Sequence, residues 1–237
     1  MQEKALNAIK ENYELIVSRI ADAAVKSGRT PEDITFLAAT KTVDPEYINY
    51  AISLGLEYIG ENKVQELLSK YDAYDLENSN LHFIGHLQTN KVRQIIGKVK
   101  MIQSVDSFKL ANEISKQSIK NGIVTDILVE VNIGNEENKS GVMPEELENL
   151  LREIADLEGI SVKGLMAIPP ICENEQKIRG YFANMRNLFL DISAKKIDNI
   201  RMDILSMGMS GDYYEAILEG ANLVRIGSSL FGARNYN

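Results

Sequence analysis

The chain is poor in the residues that would tie it to an extracellular, metal-bound or nucleic-acid role. Cys172 is the single cysteine in 237 residues, so no internal disulfide can form and no zinc cluster is spelled out. Histidine occurs twice, at His82 and His86, with no third ligand to complete a metal site. Positive charge is also short. The 26 Lys and Arg against 34 Asp and Glu leave a formal charge of −8, the wrong sign for non-specific binding to a phosphate backbone. A local basic pocket for a small anion remains compatible with that total. No apolar stretch approaches the ~20 residues of a membrane span. The start, Met1-Gln-Glu-Lys-Ala-Leu6, lacks the basic-then-apolar order of a signal peptide. We therefore expect no nucleic-acid or membrane partner and place the chain in the cytoplasm.

What is present is an ordinary globular balance, 44% hydrophobic and 25% charged, long enough for a large core. Residues 1–28 form an amphipathic helix in this reading, with Leu6, Ile9, Tyr13, Ile16, Ile20 and Ala24 at spacings of three and four and Gly28 at its end. A strand over 34–40 follows and ends on Lys41, before Asp44-Pro45 opens a helix over 45–54. The same rhythm then repeats. Strands are expected at 56–60, 81–85, 101–105, 126–133, 162–168, 203–207 and 222–227. Helices are expected at 62–71, 89–98, from the Ser107 cap to 121–122, 145–157 and 174–195, with a short one ending at Gly220.

Eight strands, each but the last followed by a helix, match a single (β/α)8 TIM barrel with an extra N-terminal helix better than a doubly wound sheet. The N-terminal helix is then the element that covers the gap after the last strand, because first and last strands are neighbours in a closed barrel. No internal repeat and no Gly/Ser/Pro-rich linker marks a second domain, so one domain over 1–237 is expected.

In that fold, function sits at the carboxyl ends of the strands. Lys41, Glu61-Asn62, His86, Ser104, Asn132, Met166, Ser206 to Asp212, and Arg225 to Ser229 all fall there. A lysine in a partly dry mouth has a lowered ammonium pKa, and its free amine can form a Schiff base. Ser206-Met-Gly-Met-Ser-Gly-Asp212 and Arg225-Ile-Gly-Ser-Ser229 supply small residues and hydroxyls after strands seven and eight, where this fold holds phosphate. Ser210 is expected to cap the following helix. Amine and phosphate turn together point to a phosphorylated aldehyde or ketone: pyridoxal phosphate, or the sugar-phosphate substrate of an aldolase. Arg225 helps to separate them, since a guanidinium can face a pyridine nitrogen. His82 is expected to be a hydrogen-bonded core residue. His86 stands between a site partner and a plain loop residue, and Lys139, in the run Asn138-Lys-Ser-Gly141, could offer a second amine at the mouth.

Several motifs carry a more specific likeness. Ala38-Ala-Thr-Lys41, Gly60-Glu-Asn-Lys-Val-Gln-Glu66, His82-Phe-Ile-Gly-His-Leu-Gln-Thr-Asn-Lys91 and Lys139-Ser-Gly141 resemble segments of the pyridoxal phosphate homeostasis protein family, the YggS/PROSC type. Gly164-Leu-Met166, Ser206-Met-Gly-Met-Ser-Gly-Asp212 and Arg225-Ile-Gly-Ser-Ser-Leu-Phe-Gly232 do so as well. That family resembles the barrel domain of bacterial alanine racemase. The resemblance implies that Lys41 is the Schiff-base lysine, that Asn62 lies near the ring hydroxyl and that Arg225 faces the pyridine nitrogen. It implies that Ser210, Gly227 and Ser228 hold the phosphate. With the mouth residues His86, Met166 and Ser206, these make up the expected cofactor site. Ser228 stands where the family often has threonine and keeps the hydroxyl; Lys63 replaces a more usual aromatic or apolar residue.

Function divides between a carrier and a catalyst. We expect a protein that holds pyridoxal phosphate for vitamin B6 homeostasis without robust turnover, with apo pyridoxal-phosphate enzymes as recipients and a monomer rather than an obligate oligomer. About ten residues follow strand eight, which leaves no second domain to oppose the lysine, whereas a racemase needs a proton donor on each face of the substrate carbanion. The alternatives are a pyridoxal-phosphate-dependent amino-acid racemase and an aldolase-like barrel that uses Lys41 directly on its substrate.

Overall fold

The computed structural model describes residues 2–136, 138–172 and 174–232. Met1 and residues 233–237, the ends of the expected 1–237 domain, lie outside the described residues. Eight parallel strands close into a barrel in sequence order: β1 (Thr35–Ala39), β2 (Tyr58–Glu61), β3 (Asn80–Phe83), β4 (Met101–Val105), β5 (Thr125–Val131), β6 (Ile160–Ala167), β7 (Ile200–Met209) and β8 (Leu223–Ile226). β8 pairs with β1 in the register Leu37↔Arg225 and Ala38↔Ile226, which closes the ring. Parallel neighbours need a crossover between them. These are α2 (Pro45–Ser53), α3 (Val64–Lys70), α4 (Val92–Ile95), α5 (Phe108–Lys120), α6 (Leu147–Ile154), α7 (Glu175–Lys195) and α8 (Tyr213–Leu218).

α1 (Gln2–Lys26) lies where the sequence places it. It buries Ile9, Ile16, Ile20, Ala23 and Ala24, each large side chain stabilising by about 1.5–3 kcal/mol. Asn12 Nδ2 donates to Leu230 O at 3.0 Å, and Tyr13 stacks on Phe36 of β1 with centroids 6.0 Å apart. Just beyond α1, Arg29 Nη1 donates to Ala221 O at 2.8 Å, ahead of β8. The helix thus seals the β8–β1 seam.

Three sequence expectations are corrected. A one-turn helix, α9 (Ser228–Phe231), follows β8, because Gly227 O accepts from the Leu230 and Phe231 amides. The helices expected at 89–98 and 145–157 begin as 3-10 turns, and their α-helical parts are shorter. Asp212, not Ser210, occupies the position before α8. Asp212 Oδ1 accepts from Met209 N at 2.6 Å, and the Ser210 hydroxyl is taken up by the turn after β8.

β6 and β7 approach closely at Gly164, whose φ is +151°. A Cβ there would lie 1.9 Å from Ile204 O, so only glycine fits this crossing.

Candidate functional site

Lys41 lies two residues beyond the end of β1 at Ala39 and is flanked by two anchored neighbours. Thr40 is fully buried, and its hydroxyl donates to Glu61 Oε1 at 2.8 Å. Thr42 has a left-handed φ of +65°, unusual for a β-branched residue and worth about 1–3 kcal/mol of strain. Its amide is held by Glu66 Oε1. Lys70 Nζ joins both sides, donating to Thr40 O at 3.2 Å, Glu61 Oε1 at 3.2 Å and Glu66 Oε1 at 2.6 Å. Tyr74 Oη donates to the same Glu61 oxygen at 2.7 Å. Burial pushes the Tyr74 phenol well above its ordinary range, and the Glu61 charge adds to it. Burial also pushes the Glu66 carboxyl up, but the bonds from Lys70 and the Thr42 amide outweigh it and hold Glu66 low. A small ionic cluster under α3 therefore braces the turn that presents Lys41.

The loops after β7 and β8 are bound together by two hydroxyls, and that of Ser229 donates to Ser210 O at 3.2 Å. Ser210 Oγ accepts from Gly227 N at 3.1 Å and from Ser229 N at 3.3 Å. A hydroxyl has two acceptor positions and one donor, so with both acceptor positions used its hydrogen is left to donate to a ligand. A Cβ on Gly227 would sit 3.0 Å from Ala39 O, so the turn presses on β1 just before Lys41. Lys41, Thr42, Tyr47, Gly227 and Ser228 line one cavity of about 390 Å³ that opens between the loops after β1 and β8 and Asn12 of α1, with no residue of the loop after β7 in its lining. Asn62, Ser206 and Arg225 are not among its lining residues.

Arg225 is nearly fully buried. Its Nη2 donates to Ala167 O at 2.9 Å and its Nη1 to Ser206 Oγ. Burial lowers the guanidinium to about 10, with Glu130 and Asp212 opposing the shift, so it stays charged at neutral pH. Burial in turn raises Glu130 to about 7, assisted by Asp106 and opposed by Arg225. Burial raises the Asp212 carboxyl as well, against the Met209 amide and Arg225.

The remaining predicted residues divide. Asn62 follows β2, and its Oδ1 is buried with no hydrogen-bond partner among the described residues. Such an acceptor costs about 1–3 kcal/mol unless a ligand donor meets it. Gly85 holds it in place: a Cβ at Gly85 would lie 2.1 Å from Asn62 O. Ser206 is fully buried and serves Arg225 from inside the barrel. Met166 is also fully buried, clustered with Met101 and Leu128. His86 is exposed at the rim, with Nδ1 3.2 Å from Ser140 Oγ in the loop after β5. Lys139 of that loop pairs with Glu136 at 2.6 Å. Ser104 donates to Gly85 O at 2.6 Å, and Asn132 pins the start of the loop through Glu136 N at 3.1 Å. His82 is buried and meets Gln103 Nε2 at 3.0 Å, the core role expected of it.

Sequence reasoning passes over Gln103, Lys70, Tyr74 and Glu130. Gln103 has a readable signal: a fully buried amide in the strand Met101-Ile-Gln-Ser-Val105 must find polar partners inside the barrel. Lys70 and Tyr74 have none, since both fall in a helix and loop whose charges read as solvated.

The family described as "Alanine racemase, N-terminal domain" matches residues 5–235. The pyridoxal phosphate homeostasis protein of Aquifex aeolicus is 46% identical over 226 residues, covering 95% of this chain and 98% of that protein. The structure of PipY from Synechococcus elongatus with PLP bound superposes with a TM-score of 0.80 at 29% identity, covering 92% of this chain and all of that one. Alanine racemase from Corynebacterium glutamicum shares the fold, with a TM-score of 0.72 at 13% identity over 97% of this chain and 62% of its own. No helix among the described residues is long and apolar enough to cross a membrane. The sequence motifs, the closed barrel and these likenesses agree, and the chain belongs to the pyridoxal phosphate homeostasis protein family.

Proposed function

We propose that this single-domain barrel binds pyridoxal 5'-phosphate through Lys41 and holds it for cytoplasmic vitamin B6 homeostasis rather than turning over a substrate. The observation that carries the reading is that Lys41 shares a cavity of about 390 Å³ with Gly227 and Ser228. An amine and a phosphate-binding turn thereby face one cavity. The residues fit the group in two further ways: Asn62 Oδ1 awaits a donor, and the Ser210 hydroxyl has its hydrogen left to give.

Lys41 would hold the cofactor covalently at its aldehyde through the side-chain amine. Ser210, Gly227 and Ser228 hold the phosphate, and Asn62 meets the ring hydroxyl. When bound, the cofactor supplies a conjugated ring able to withdraw electrons. Arg225 limits that ability, because a guanidinium donates a hydrogen bond and disfavours a protonated ring nitrogen. An arginine there is compatible with racemisation, so storage is supported by the relatives named for homeostasis. Apo pyridoxal-phosphate enzymes are the recipients we propose, with the protein acting as a monomer.

Titration with pyridoxal phosphate, followed by visible absorbance, tests the binding; Lys41→Ala is expected to lose the new band. Racemisation assays on several amino acids test the division of roles. Sustained turnover that disappears in Lys41→Ala would overturn the carrier reading in favour of a racemase.

A further inference from the structure

A chain of buried hydrogen bonds crosses the inside of the barrel. His82 on β3, Gln103 on β4, Ser206 on β7 and Arg225 on β8 are each 4% exposed or less. Arg225 Nη1 donates to Ser206 Oγ. Ser206 Oγ donates to Gln103 Oε1 at 2.7 Å. Gln103 Nε2 lies 3.0 Å from His82 Nδ1. β4 and β7 are not neighbours in the ring, so the Gln103–Ser206 link spans the interior instead of following the wall.

The direction of this chain is set at one end. A guanidinium has donors only, so the Ser206 oxygen must accept from Arg225 and its hydrogen must go elsewhere. Gln103 Oε1 takes that hydrogen. The Gln103 amide therefore turns its NH2 to His82, whose Nδ1 must be bare. A flipped amide would offer Ser206 a second donor and leave a buried hydroxyl hydrogen without this acceptor, which is costly. Burial lowers His82 to about 4, in keeping with a neutral ring at the end of the chain. Tyr58 packs edge-on against that ring at 5.7 Å.

We propose that Gln103 and His82 are positioning residues that fix the ring-facing guanidinium of Arg225 through Ser206, as a one-way hydrogen-bond relay. With Nη1 held by Ser206 and Nη2 by Ala167 O, the guanidinium plane is set before any ligand arrives. The role toward the ligand rests on the pyridoxal phosphate reading above; the relay itself belongs to the cofactor-free protein.

Two measurements separate these levels. Imidazole ¹⁵N NMR on cofactor-free protein reads the direction, and only two histidines contribute. The unsubstituted chain is expected to show His82 with bare Nδ1 and protonated Nε2. In Gln103→Glu the new carboxylate can only accept, so His82 Nδ1 is expected to gain a proton. Pyridoxal phosphate titration reads the consequence. Gln103→Met is expected to bind about tenfold more weakly, about 1.4 kcal/mol, with an altered pH profile of the visible band. Gln103→Glu, which keeps an acceptor for Ser206, is expected to recover part of that loss. Should Gln103→Met fail to fold, Ser206→Ala cuts the same chain with a smaller change. A protonated Nδ1 in the unsubstituted chain, or unchanged affinity and pH profile in the cut variants, would overturn the relay. An unsubstituted chain that fails to bind pyridoxal phosphate would instead overturn the cofactor reading, and the NMR measurement would still decide the relay's direction.

Discussion

Glu130 and His82 pull the stability of this barrel in opposite directions as pH changes. Burial, with help from Asp106, raises the Glu130 carboxyl from 4.5 to about 7. Its neutral form therefore favours the fold, fully below the unfolded value of 4.5, and that contribution is lost as pH rises through 7. Burial lowers His82 from 6.5 to about 4. Its contribution is full above the unfolded value of 6.5 and is lost as pH falls through 4. At about 1.4 kcal/mol per pH unit, each gap is worth about 3 kcal/mol, and between pH ~4.5 and ~6.5 the two slopes nearly cancel. Glu130→Gln removes one of them. Between pH 4 and 8 the unfolding free energy of the variant, measured from urea midpoints, is expected to grow by about 3 kcal/mol relative to the unsubstituted chain. Parallel curves over that range would refute the assignment, because they would mean that Glu130 titrates alike in the folded and unfolded chains.

Lys70→Met leaves Glu61, which is fully buried, without its cation, and breaking such a pair costs about 3–5 kcal/mol. Calorimetry should show a fall of about 6–15 °C in Tm, largely restored by adding Glu61→Gln; a loss of under 1 kcal/mol would mean that the cluster is solvated. Gly85→Ala drives a Cβ onto Asn62 O. It is expected to cost about 1–3 kcal/mol in urea unfolding and to weaken pyridoxal phosphate binding through Asn62. The control is Gly180→Ala in α7, where a Cβ meets nothing within 4 Å and a gain of about 0.5–1 kcal/mol is expected.

The barrel was legible because its strands are short apolar runs separated by capped, amphipathic helices, and period and punctuation alone count them. β4 was found to the residue, at Met101–Val105. The strand order lets the strand ends be aligned, and register sets Arg225 opposite Leu37 and Met209. Hydroxyl partners were not. Ser210 reads as a helix cap in sequence, yet its oxygen serves amides 17 and 19 positions away. No local pattern announces a partner at that separation. The same holds for the chain from Arg225 to His82, whose members come from four strands and meet only inside the closed ring.

One covalent bond, between Lys41 and pyridoxal phosphate, carries the proposed function. Borohydride reduction of the protein loaded with pyridoxal phosphate, followed by peptide mapping, locates it directly. One dominant reduced adduct on Lys41 is expected, absent from Lys41→Ala. An adduct on Lys139 or any other lysine, or none despite a visible band, would contradict the proposed function.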